Sequence, residues 1–186
     1  HAERRAQLLS LDPKALDALL GDGGVAELLD DEVLAQVEAE LQHLAPGRRV
    51  RADAEGVADL LRELGPLSVA ELAERCTDVS GRDPGEDTRG DDVERRDKRK
   101  VERTVGRTLA ELAGAHRAAA VRVGGRELWA RVEDAPDLRL ALGVEVPDWA
   151  LERAGAGGAV ERRASARSPL NDLLLRYART HTTVTP

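Results

Sequence analysis

The chain contains no phenylalanine and no methionine, and its only large aromatic side chains are Trp129, Trp149 and Tyr177. Any core must therefore be filled by leucine, valine and alanine, which favours packed helices over a β-sandwich. Material for a core is sufficient: 41% of the 186 residues are hydrophobic, and the 17 glycines bring the apolar class to about 50%, within the globular range. That argues against a wholly disordered chain, and the length suits one ordinary domain or two small ones. Cys76 is the single cysteine, so there is no internal disulfide framework, and a reducing, cytoplasmic setting is expected. No apolar run approaches the roughly 18 to 20 residues of a membrane span, and His1-Ala2-Glu3-Arg4-Arg5 leads into no apolar signal segment. The missing initiator methionine and the end at Thr185-Pro186 give the expectation of a piece of a longer protein.

Residues 1–50 read as a helical segment, the end of an upstream domain. Asp12-Pro13 opens a helix with Leu16, Leu19 and Leu20 on one face, broken by Gly21, Gly23 and Gly24. A longer helix is predicted from about Asp30 to Ala45, with Val33, Leu34, Val37, Leu41 and Leu44 at helical spacing, stopped by Pro46-Gly47. The basic run Arg48, Arg49, Arg51 then connects to the next unit.

From Asp53 the pattern sharpens. Asp53 caps a helix with the stripe Val57, Leu60, Leu61 and Leu64, closed by Gly65-Pro66. Ser68 and Glu71 make a capping box for a short helix that faces Val69, Leu72 and Cys76 inward. Residues 77–98 are nearly devoid of apolar side chains and read as a charged, solvated loop, disordered in part. A third helix follows on Val101, Val105, Leu109 and Leu112. Ala119 to Val123, Gly124-Gly125 and Arg126 to Val132 read as a hairpin. Its register pairs Val121 with Leu128 and Arg122 with Glu127. Helix, short helix, helix, hairpin is the order of a winged helix-turn-helix module, placed at 53–143 once the short helix Pro136 to Leu142 is included. The fold class expected is mainly α with a small β-hairpin.

Residues 144–168 read as a linker, poor in pattern and rich in Gly, Ala and Arg. Ser168-Pro169 opens one more amphipathic helix with Leu170, Leu173, Leu174, Tyr177, Ala178 and His181. Aligning Leu60 to Ser68 with Tyr177 to Thr185, an offset of 117 residues, keeps the bulky positions in step. Residues 169–186 are therefore read as the first helix of an incomplete second winged helix.

The search for catalytic constellations is negative. There is no phosphate loop, and Gly155-Ala156-Gly157-Gly158 lacks the lysine one needs. The histidines at 1, 43, 116 and 181 fall in no metal-ligand spacing. The strongest functional signal is basic. Seven cations between Arg95 and Arg107 stand against Asp97 and Glu102, in a chain whose net charge is −7. Arg96, Lys100, Arg103 and Arg107 form one helical stripe, placed as the major-groove helix of a winged helix is placed. The alternative is a solvated helix end balanced by the acids just upstream, a stretch that could even mask the stripe. Arg122 and Arg126 flank the hairpin turn and can reach phosphates; a cross-strand pair of Arg122 with Glu127 competes with that. Trp129 is expected to pack against a neighbouring module.

Leu173-Leu174-Leu175-Arg176-Tyr177-Ala178-Arg179-Thr180-His181 resembles a signature of the Lhr-type (large helicase-related) bacterial DNA helicases. The resemblance extends through Asp53 to Ser68, Val121 to Trp129, Val132-Glu133-Asp134-Ala135 and Ala141-Leu142-Gly143-Val144, with the loop at 77–98 as an insertion. It implies an ATP-dependent, single-strand-translocating repair helicase of superfamily 2. Its carboxy-terminal region of tandem winged helices is similar to crosslink-repair DNA glycosylases. This chain would join the end of the helicase core to that region. ATP and magnesium would serve the parent helicase and not this segment, and the partners would be DNA and the rest of the parent chain, with no membrane. The function expected is thus a non-catalytic DNA-binding accessory segment. The alternative is a winged-helix regulatory or protein-interaction module without helicase context, whereas a stand-alone enzyme finds no supporting constellation.

Overall fold

A computed structural model describes residues 30–78, 80–81, 91–155 and 168–181, with the backbone alone at 91–94. The helix expected around Leu16 lies outside these residues. The chain divides into two compact units, His1–Val37 and Glu38–Pro186. Of the first, residues 30–37 are described and open helix α1 (Asp31–Leu41). The Asp30 carboxylate accepts the Glu32 N–H at 2.9 Å, a cap at the positive end of the helix. Leu44, expected on this helix, lies beyond its end, because His43 takes a left-handed φ of 58° and breaks the α-helical run.

The second unit is built on α2 (Ala54–Leu64), α3 (Val69–Glu74) and α4 (Asp91–Gly114), followed by the hairpin β3 (Ala118–Val123) and β4 (Arg126–Arg131). Both predicted caps form. Asp53 accepts the Gly56 N–H at 2.9 Å, and Ser68 and Glu71 close a reciprocal capping box. Val57, Leu60, Leu61, Leu72, Val101, Val105, Leu109 and Leu112 are buried together in one core. Each fully buried leucine stabilises the fold by about 1.5–3 kcal/mol relative to exposure, so this set substitutes for the missing aromatics.

The hairpin adopts the expected register, Val121 opposite Leu128 and Arg122 opposite Glu127. Leu67 adds a bridge to its edge, exchanging two backbone hydrogen bonds with Trp129 at 2.7 and 3.0 Å. The strands are covered on both faces. Ala118 and Trp129 turn to the helical core, while Ala119, Val121 and Ala130 turn to two smaller clusters on the other side. Trp129 thus packs, partly buried, on the helical core of its own module.

Several expectations are corrected. Cys76 is buried, but not on the face of α3, which ends at Glu74; it lies in a short strand, β2 (Cys76–Thr77). That strand pairs in parallel with β1 (Val50–Arg51), so the basic connector is also sheet, and Thr77 is buried instead of opening a loop. The charged segment is helical from Asp91, nearly three turns before Val101, the first buried apolar residue among the described side chains. Acids in the first turn suit the positive end of a helix, which apolar spacing cannot reveal. Within the stretch read as a linker, α6 (Asp148–Arg153) buries Ala150 against Val132 and Ala135. Between hairpin and α6, a 3-10 turn (Val132–Asp134) leads into α5 (Ala135–Leu142), which the left-handed Gly143 ends at φ 63°. The last helix, α7 (Pro169–Thr180), is capped by Ser68's counterpart in role, Ser168, whose hydroxyl accepts the Asn171 N–H. It lies against α5 and α2.

Candidate nucleic-acid interface

Helix α4 has two sharply different sides. Val101, Val105, Thr108, Leu109 and Leu112 face inward, each no more than 5% exposed. The Thr108 hydroxyl donates to the Ala52 carbonyl at 3.0 Å, which fixes the rotation of the helix about its axis. At about 100° per residue, Arg96, Lys100, Arg103 and Arg107 then fall on the far side, and all four are exposed. They span about 16 Å of helix. Among the described residues none of the four has a carboxylate within ion-pair distance; Arg103 donates from Nε to the Arg99 carbonyl at 3.3 Å, along its own helix. Arg99 is exposed beside them and widens the stripe, a residue the four-three-four spacing leaves out. The outer face of α4 is thus a row of exposed cations held by a well-buried inner face.

The hairpin tip is a two-residue turn with φ of 57° at Gly124 and 81° at Gly125, the left-handed pair that glycine adopts without strain. Arg122 is exposed, and although its backbone pairs with Glu127, the two side chains make no ion pair. Arg126 is engaged: its guanidinium lies 3.1 Å from the Glu71 carboxylate. Glu71 also accepts from the Ser68 N–H at 2.8 Å and the Ser68 hydroxyl at 2.7 Å. Partial burial raises its carboxyl, but the hydrogen bonds from Ser68 and Arg126 prevail and hold it below the usual range. The capping residue of α3 therefore tethers the base of the hairpin turn. An exposed pair of this kind is worth about 0–1 kcal/mol, so a phosphate can take Arg126 from it at little cost.

A third polar cluster escaped the sequence because it joins residues far apart in the chain. Asp134, 5% exposed, accepts from Arg131 at 2.9 Å and from Arg176 at 2.7 Å. Gln42 accepts from the buried Arg75 at 2.7 Å and donates to the Thr180 carbonyl at 3.1 Å. These contacts pin α7 to the module, and Tyr177 stacks on His181 at 3.6 Å along its side. The signal was present in the residues Arg176 and Asp134, but nothing local pairs them. Among the described residues there is no group of three or more His, Cys, Asp or Glu able to hold a metal, and no helix long and apolar enough to cross a membrane.

The model of the winged-helix domain of the large helicase-related protein matches residues 27–89 and 82–156. A Lhr helicase/probable uracil glycosylase of Mycolicibacterium smegmatis is 42% identical over 179 residues, covering 96% of this chain and 10% of the relative. A Lhr helicase/uracil glycosylase of Escherichia coli K12 is 41% identical over 184 residues, covering 99% of this chain and again 10% of the relative. The chain thus spans about a tenth of the length of these relatives.

Proposed function

The chain belongs to the winged-helix domain family of the large helicase-related protein, and from that premise we propose that it is a non-catalytic DNA-binding segment of an ATP-dependent DNA repair helicase. The observation that carries the proposal is the exposed stripe Arg96, Lys100, Arg103 and Arg107 on the outer face of α4, which has no carboxylate within ion-pair distance among the described residues. Duplex DNA carries about one negative charge per 1.7 Å of axis, so 16 Å of helix meets a dense row of phosphates. Exposed cations give up little inside the protein when they engage them. Arg122 adds a phosphate contact from the hairpin, and Arg126 joins it by leaving Glu71.

In this reading the segment positions DNA for chemistry performed elsewhere. ATP hydrolysis and its magnesium belong to the parent's helicase core, since no phosphate loop occurs in this sequence. The partners are DNA and the rest of the parent chain, and a cytoplasmic setting fits the lone buried thiol. Titrating the chain into a fluorescently labelled duplex tests the proposal. Binding that weakens steeply as salt rises is expected. No binding at low salt by a folded chain would overturn it.

A further inference from the structure

The hairpin is occupied along one edge and open along the other. On β4, Trp129 gives its outward N–H and carbonyl to Leu67. Trp129 stands opposite Ala120, and outward-facing positions alternate with paired ones along an antiparallel ladder. Ala120 and Arg122 therefore turn their N–H and C=O groups away from β4. Both residues are exposed, and among the described residues these backbone groups have no hydrogen-bond partner. An open edge of this kind is a template for another extended strand.

A groove of about 370 Å³ is lined by Ala120, Val121 and Arg122 of β3, by Glu127 of β4 and by residues 145–147. Successive residues of a strand point to opposite faces, so a groove that touches all three runs along the edge of β3. Its charges are unbalanced. Glu127 is exposed on the hairpin face of Arg122, opposite it in register. Glu145 is exposed between Val144 and Val146, which pack against the other face with Val121 and Ala130. Among the described residues neither carboxylate has a base within ion-pair distance. The open edge is thus flanked by one free carboxylate on each side.

We propose that the β3 edge is a docking site for an extended polypeptide segment with two consecutive basic residues, added beside β3 as a further strand. The backbone groups of Ala120 and Arg122 supply its hydrogen bonds, and the flanking charges select its sequence. Consecutive side chains of the added strand point to opposite faces, so two adjacent cations meet Glu127 and Glu145, one each. Docking uses the backbone of Arg122, whereas a phosphate would use its guanidinium. The inference stands apart from DNA contact by α4; either can fail without the other.

Amide hydrogen exchange, read residue by residue, tests it. The probe is a blocked hexapeptide of valine and threonine with two consecutive lysines at its centre, and the control carries two glutamates there. In the free chain the N–H groups of Ala120 and Arg122 should exchange fast, whereas those of Val121 and Val123, paired within the hairpin, should exchange slowly. The lysine peptide at millimolar concentration should slow exchange at Ala120 and Arg122 by about tenfold or more and leave Val121 and Val123 unchanged. The glutamate peptide should protect neither position. In the Glu127→Gln/Glu145→Gln double variant the advantage of the lysine peptide should disappear, with the slow hairpin amides reporting that the fold is intact. No protection by the lysine peptide, or equal protection by both peptides in the native chain, would overturn the proposal. Protection that grows with concentration in the chain alone would overturn it too, because the β3 edge of a second copy would then be the occupant.

Discussion

Glu71 shows how much a single side chain carries in this module. It completes the box that starts α3, and its other oxygen holds Arg126 at the hairpin. Because its carboxyl is held below the usual range when folded, Glu71 contributes stability above the unfolded value of 4.5, and that contribution is lost as pH falls through the folded value. Glu71→Gln is therefore expected to cost about 1 kcal/mol at neutral pH, the usual worth of a cap. It should also make the fall in stability below pH 4.5 shallower than in the native sequence. Urea melts between pH 7 and pH 3 measure both effects. Parallel pH profiles for the two proteins would show that the Ser68 and Arg126 hydrogen bonds contribute little.

At the scale of elements, the closest approach is between α2 and the strand before it. A Cβ built on Gly56 would run into the backbone carbonyl of Arg51, and a carbonyl fixed by the β1–β2 pairing cannot swing aside as a side chain would. Exposed glycines inside helices normally gain about 0.5–1 kcal/mol on change to alanine. Here the steric term dominates, and Gly56→Ala is expected to destabilise by about 1–3 kcal/mol in a thermal or urea melt. A more stable variant would mean that α2 and β1 are less firmly joined than their geometry implies. Elements of this kind divide by what sequence can reveal. The Asp53 cap, the Ser68–Glu71 box and the hairpin register were legible because each is decided within a few residues of its own position. The β1–β2 pairing was not, because it joins Val50 to Cys76 across two helices. Nor was the start of α4, where charged residues continue a helix with no apolar stripe to mark it. The short α6 was missed for a related reason: one buried alanine, Ala150, leaves no periodic signal. The basic stripe was legible as a pattern, whereas the engagement of Arg126 by Glu71 required the fold.

Across the whole molecule, an acidic chain presents a local net of +5 between Arg95 and Arg107 on one rigid helix, and the sequence places no acid–base or phosphate-binding constellation beside it. The purified chain should accordingly show neither ATPase nor DNA glycosylase activity. Nucleotide hydrolysis or base excision above background, abolished by a point change within these 186 residues, would refute that. The central claim is that the outer face of α4 holds DNA phosphates. Its most direct test is the affinity for a DNA duplex between about 50 and 200 mM salt, compared for the native chain and the Arg103→Ala/Arg107→Ala double variant. Each phosphate contact contributes a slope of about −0.9 in log affinity against log salt, so removing two should weaken binding at low salt and flatten the slope by roughly two units. Arg126→Ala, whose guanidinium is shared with Glu71, should change it less. A double variant that keeps its helical circular dichroism and binds with unchanged affinity and slope would contradict the claim, and would leave the stripe a hydrated surface.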